Sequence, residues 1–148
     1  MMQILLGILL ASFVEWFVHK YLLHGLGKNK NSVWHFHWEH HQLTRKSDGY
    51  DPLYFKHGPG YPKERLSLFL AFLLISPLFL YYPTLAKTLT VYIFVYYFVH
   101  MKAHNDVEWT KKWLPWHYDH HMGKDQDKNW GIVLPIYDIL LGTRKKYF

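Results

Sequence analysis

Leu66-Ser67-Leu68-Phe69-Leu70-Ala71-Phe72-Leu73-Leu74-Ile75-Ser76-Pro77-Leu78-Phe79-Leu80-Tyr81-Tyr82 is an apolar run broken only by Ser67, Ser76 and Pro77. After Pro83-Thr84 a second run, Leu85 to Val99, is apolar apart from Lys87, Thr88 and Thr90. Two apolar runs joined by a turn signal read as a helical hairpin. Each is slightly shorter than the ~20 residues that cross a ~30 Å hydrocarbon core, so the helices must borrow flanking residues or tilt little. A re-entrant hairpin is the alternative, but runs of this length exceed what most buried helices use, which favours crossing. Tyr81 and Tyr82 suit an interfacial position at the hairpin tip.

Working outward, Met1 to Leu23 is a third apolar run, with Gln3 at one end and Glu15, His19 and Lys20 toward the other. It reads as a membrane helix whose last turns emerge into something polar. A cleaved signal peptide would need a basic start and a small-residue cleavage site, and neither is present. The expectation is one domain, 1–148, with helices over about 3–24, 65–82 and 85–104 and polar caps over 25–64 and 105–148. The fold class is therefore an all-α membrane protein with about three transmembrane helices, or one helix plus a helical hairpin, under a cytosolic helical cap.

Charge supports this layout. With the helices so arranged, 16 of the 17 Lys and Arg residues fall on one side, with Lys87 alone near the other. The positive-inside rule makes the basic side cytoplasmic. The net charge of +6 is then loop charge, since no nucleic-acid-binding motif accompanies it. The absence of cysteine excludes disulfides, iron-sulfur clusters and thiolate zinc, so any metal must be held by nitrogen or oxygen.

The candidate ligands are histidines. Ten of the twelve fall in four short clusters: His19/His24, His37/His40/His41, His100/His104 and His117/His120/His121. All four lie at the basic ends of the apolar runs or in the basic segments. His37, His40 and His41 share one face of a helix expected over 34–41, and His100 and His104, at i and i+4, share a face of the third helix. His40 and His41 point about 100° apart, as do His120 and His121, so adjacent histidines should serve different ions. His19 and His24 lie about 140° apart on an ideal α-helix, which suggests different metals or a helix end between them. Ten ligands with split directions fit two metals of about five nitrogens each. His35 is a spare beside the second cluster. His57, alone in the His57-Gly58-Pro59-Gly60 loop, reads as a solvated loop histidine.

Ligating histidines usually give their second N–H to a carboxylate or carbonyl. Glu15, Glu39, Asp106, Glu108 and Asp119 are near the clusters in sequence, and Glu15 is favoured because an ionisable group in an apolar helix needs a partner. Asp138 is expected to cap or to pair locally with Arg144 or the lysines after it. Trp109, Trp113 and Trp116 read as interfacial anchors or walls of the cap.

The order His-x4-His, His-x2-His-His, His-x3-His, His-x2-His-His resembles the fatty acid hydroxylase and sterol desaturase superfamily of membrane di-metal oxygenases. So does the tail, Asn129-Trp130-Gly131 with Pro135, Asp138, Gly142 and Thr143. The resemblance implies that His19, His24, His37, His40, His41, His100, His104, His117, His120 and His121 ligate two irons, with O2 as cosubstrate. It also implies a lipid substrate and a separate electron donor, a ferredoxin or a b-type cytochrome. Zinc suits the same imidazoles and binds more tightly than ferrous iron, so a purified sample can carry it. Hydroxylation of a fatty acyl chain is the leading expectation, and oxidation of a carotenoid or sterol is the alternative within the superfamily. His19-Lys20-Tyr21-Leu22-Leu23-His24-Gly25 also looks like the first box of carotenoid hydroxylases. A non-catalytic metal-binding or transport protein is the rival of another class, disfavoured because no histidine is expected deep in the bilayer. Three helices form a thin membrane domain, which makes a homo-oligomer plausible.

Overall fold

The computed structural model describes residues 1–55 and 60–148, apart from the side chain of Phe55; His57 lies outside the described residues. Within them all regular structure is helical. In chain order the helices are α1 (Met2–Phe17), a π-helical stretch (Val18–Gly25), α2 (Phe36–Lys46), α3 (Pro52–Phe55), α4 (Pro62–Ile75), α5 (Leu78–Tyr81), α6 (Pro83–Asn105), α7 (Val107–Trp113), α8 (Pro115–Met122) and α9 (Ile136–Leu140). Short 3-10 turns at Leu26–Lys28 and Val33–His35 link the π-helical stretch to α2.

Two stretches, Met2–Lys28 and Pro62–Tyr81, are long and apolar enough to span a bilayer. The 23-residue α6 is long enough too, but Lys87, the threonines and the histidines near its end make it less apolar. Leu5 and Leu6 on α1, Phe69 and Leu74 on α4, and Val91 and Phe94 on α6 all face outward. A continuous apolar belt of this kind is the surface of a protein whose solvent is lipid.

Local chemistry sets the ends of the hairpin. Pro77 has no N–H to continue a helix, so α4 stops at Ile75 and α5 resumes beyond the break. Pro83, read from sequence as part of a tight turn, opens α6 at its first position, where the missing N–H leaves no bond unmade.

α1 and α6 run side by side in the same direction. Gly7 on α1 meets Thr88 on α6 so closely that an added Cβ would lie 2.8 Å from Thr88 Cγ2. Further along, Tyr92 Oη donates to Glu15 Oε2 at 2.6 Å. α4 runs the opposite way, its first turn reaching the end of α6, where Glu64 Oε1 accepts from His100 Nδ1 at 2.8 Å. The end of α6 with His100 and His104, the π-helical continuation of α1 with His19 and His24, and the start of α4 with Glu64 therefore gather at one end of the bundle.

The polar blocks fold over that end. α2 packs against α8 and the π-helical stretch, while α7 follows α6 across a corner capped by Asp106, whose Oδ1 accepts from Trp109 N at 3.0 Å. α9 leans on α1, with Tyr137 edge-on to Phe13 at 5.1 Å between centroids.

Candidate metal centre

The ten histidines of the four clusters meet in the space between cap and helix ends, and none is more than 3% exposed. Two groups of ligand atoms stand out, His19, His24, His37, His41 and His120 in one, and His40, His100, His104 and His121 in the other. His117 joins the second group, its Nε2 lying 3.1 Å from His104 Nε2. The groups adjoin, since the His41 and His121 rings stack at 4.1 Å.

Adjacent histidines divide as helix geometry requires, with His40 and His41 in different groups and His120 and His121 likewise. His19 and His24 do not divide. The expectation that they serve different ions assumed an α-helix, whereas Val18–Gly25 is π-helical. Bonding from i to i+5 stacks residues five apart on one face, and such π segments concentrate at functional sites. Both rings therefore enter the first group.

The donor set fits metal cations on its own chemistry. His19 Nδ1 faces Trp130 O at 2.6 Å, and His120 Nδ1 faces Lys128 O at 2.6 Å. Their Nδ1 protons are committed to those carbonyls, so each Nε2 presents a lone pair. These lone pairs point at other imidazoles, His19 Nε2 at His37 Nε2 (2.9 Å) and His120 Nε2 at His41 Nε2 (3.0 Å). His41 Nε2 also lies 3.1 Å from both His24 Nε2 and His37 Nε2, and one proton cannot serve all these contacts, whereas a cation among them is met by every lone pair. In the second group, Nε2 of His40, His100 and His121 are buried with no hydrogen-bond partner, an arrangement that is costly unless a metal accepts the lone pairs. Burial, and then the neighbouring imidazoles, hold His37, His41, His117 and His121 far below the usual histidine range. Burial does the same to His40 and His120. Neutral imidazole is the ligand form.

Above the two groups lies a cavity of about 590 Å³ between α1, α4, α5 and α6. Its far end is lined by Leu10, Leu74, Leu78 and Leu89, and its near end by His19, His37, His40 and His100, so it touches both groups.

A model of the fatty acid hydroxylase family matches residues 4–143, nearly the whole chain. The chain belongs to that family. No curated protein and no solved structure matches it. Membership and the two histidine groups together describe a membrane di-metal oxygenase.

In this fatty acid hydroxylase family member the tail is the scaffold of the first group. Asp138, fully buried, accepts from Trp130 N (2.8 Å), Gly131 N (2.7 Å) and Thr143 Oγ1 (2.6 Å). Asn129 sits at φ +60° and ties the chain end down through Lys145 N (2.7 Å) and Lys145 O (2.7 Å). This holds the carbonyls of Lys128 and Trp130 against His120 and His19. The Asp138 carboxylate thus serves the tail; Arg144 meets Asp138 only through its backbone N, which donates to Asp138 O at 2.9 Å, while its guanidinium pairs with Asp119 at 2.9 Å.

The carboxylates expected beside the ligands are elsewhere employed. Glu15 accepts from Tyr92 and from the backbone N–H groups of Ile132 and Val133, joining α1 and α6 to the tail. Glu39 is exposed, Asp106 caps α7, Glu108 pairs with Lys111 at 2.7 Å, and Asp119 accepts from Tyr147 N at 2.9 Å. Among the described residues the carboxylates that touch ligands are Asp51 on His40 Nδ1 (2.5 Å), Glu64 on His100 Nδ1 (2.8 Å) and Asp127 on His24 Nδ1 (3.2 Å). Nearness in sequence misled because His40 and Asp51 meet across a turn, and His100 and Glu64 across two helices. One signal was available for Glu64, an acidic residue opening an apolar run, as Glu15 is one within such a run. His35 donates toward Gly27 O at 2.8 Å and stands outside both groups.

Proposed function

We propose that this protein is a diiron monooxygenase that hydroxylates an unactivated C–H bond of a fatty acyl chain drawn from the bilayer. One observation carries the reading: a largely apolar cavity of about 590 Å³, walled by the membrane helices, ends on imidazoles of both metal groups. Its volume is that of a typical ligand site. Along α6 its lining runs from Leu89 to His100, roughly 16 Å at 1.5 Å per residue, which suits an extended chain better than a compact molecule.

The overall balance is RH + O2 + 2e⁻ + 2H⁺ → ROH + H2O. The five histidines of each group would hold one ferrous ion apiece, and the pair when bound would supply the activation of dioxygen. The protein's own residues supply the rest. Leu10, Leu74 and Leu89 exclude water and guide the chain, while Trp130 O, Lys128 O, Asp51 and Glu64 fix the ring orientations. The electrons come from a separate carrier, a ferredoxin or a b-type cytochrome, and the excess of Lys and Arg in the cap supports a cytoplasmic position for the metal groups.

The test is turnover by anaerobically iron-loaded protein given a reductant, O2 and a panel of acyl lipids, carotenoids and sterols, with products identified by mass spectrometry. Hydroxylated acyl chains are expected, and His120→Ala should abolish them. A panel without any oxygenated product refutes the reading, and product from only carotenoid or sterol refutes the acyl assignment.

A further inference from the structure

The two groups have equal numbers of imidazoles but unequal surroundings. Each draws its outer partners from a different segment. The first is served by the tail, through Asp127, Lys128 O and Trp130 O. The second is served by the turn after α2, through Gly49 O and Asp51, and by the first turn of α4, through Glu64.

The chemistry of these partners differs. Carbonyls orient a ring without adding charge. Asp127 does carry a carboxyl group, but it is 47% exposed and shared with Lys28 Nζ at 2.8 Å, so solvent and the ammonium screen it. Asp51 is wholly buried, and its other partners are Tyr61 Oη at 2.9 Å and Leu53 N at 2.9 Å. Glu64 is 6% exposed and accepts from Tyr54 Oη at 2.6 Å as well as from His100. A carboxylate accepting the Nδ1 proton strengthens the Nε2 lone pair as a donor, and buried charge is felt at full strength by a nearby cation. Ten neutral imidazoles do nothing to offset the charge of two divalent ions, so these two carboxylates decide which ion is better compensated.

We propose that the two metal positions are unequal. The position built on His40, His100, His104, His117 and His121 is tight and slow to exchange because Asp51 and Glu64 back it. The position built on His19, His24, His37, His41 and His120 is the exchangeable one, backed only by carbonyls and by the half-exposed Asp127 behind the buried His24. Asp51 and Glu64 are positioning residues, acting on the metal through His40 and His100. The inference rests on the reading that both groups bind metal.

The experiment uses the full chain in nanodiscs, loaded with Zn²⁺ alone and then mixed with excess chelator, with zinc release followed by a chromogenic indicator. Two ions per chain should leave in two phases separated by about tenfold or more. Asp51→Asn and Glu64→Gln should each speed the slow phase about 10- to 100-fold and leave the fast phase alone, since loss of an outer partner weakens metal binding by that factor. Asp51→Glu should restore part of the slow phase, a rescue that a merely structural role would not give, and His120→Ala should remove the fast phase. Release of two ions in one phase from the unmutated protein overturns the inference whether or not the variants fold, and leaves the proposed function standing. A speeding of the fast phase alone by Asp51→Asn overturns it equally. Failure to hold stoichiometric zinc would sink both readings, while biphasic release without any lipid product would sink only the proposed function.

Discussion

Replacing Asp138 by Asn removes one acceptor oxygen from the centre of the tail and puts an NH2 group in its place. In the native protein Oδ1 accepts from Trp130 N and Thr143 Oγ1, and Oδ2 accepts from Gly131 N at 2.7 Å. An Asn side chain can keep the Oδ1 partners, but its NH2 then faces the Gly131 N–H, donor against donor. A buried donor left without an acceptor costs about 1–3 kcal/mol. The amides of Trp130 and Gly131 should therefore exchange with deuterium about 5- to 150-fold faster, the same free energy expressed as a rate ratio. The loosening is transmitted to the metal through Trp130 O and Lys128 O, which hold His19 and His120 at 2.6 Å each. The ion in the first group should weaken about 10- to 100-fold. The second should not, because its outer partners come from Gly49, Asp51 and Glu64. Exchange mass spectrometry on the metal-loaded variant, paired with metal counting across a chelator series, reads both effects. Unchanged exchange at Trp130 and Gly131, or equal loss of both ions, would refute the reasoning.

Three further outcomes are expected. His120→Ala and His121→Ala should each lower metal content but deplete different positions, so the double variant loses about as much as the two single ones together; loss of the same ion in both contradicts the division. Ala71→Trp, in the cavity wall, should cut turnover of long acyl chains while metal content stays at the unmutated level, and the reverse pattern would remove the cavity from the reaction. The metal-free protein should be destabilised by acid. His37, His40, His41, His117, His120 and His121 have folded-state values lowered by burial, so the unfolded chain takes up more protons once pH falls below the ordinary 6.5. The stability they contribute is present above pH 6.5 and lost as pH drops toward their folded values. Melting followed between pH 8 and pH 5 checks the sign, and a melting point that rises on acidification would contradict it.

Period and composition are local properties, and they carried the membrane helices, the helical cap and the ten clustered histidines. Adjacent residues on any α-helix diverge by about 100°, so the split of His40 from His41 and of His120 from His121 was also legible in the residues alone. The partition of His19 with His24 was not, because it turns on one π-helical stretch that spacing cannot distinguish from an α-helix ending. Nor could sequence show the cavity, which exists only where α1, α4, α5 and α6 stand apart.

The outer partners mark the boundary most clearly. Which histidines could bind a metal was written in the chain, since imidazole is the ligand and its spacing is fixed by the helix that bears it. Which carboxylate would stand behind which ring was decided by the tertiary fold. Asp51 and Glu64 reach His40 and His100 at 2.5 Å and 2.8 Å, while the nearer-in-sequence Glu39 faces outward and Asp106 caps a helix. A hydrogen bond depends on distance in space, and a chain that doubles back at the bundle end sets that distance by packing rather than by residue number.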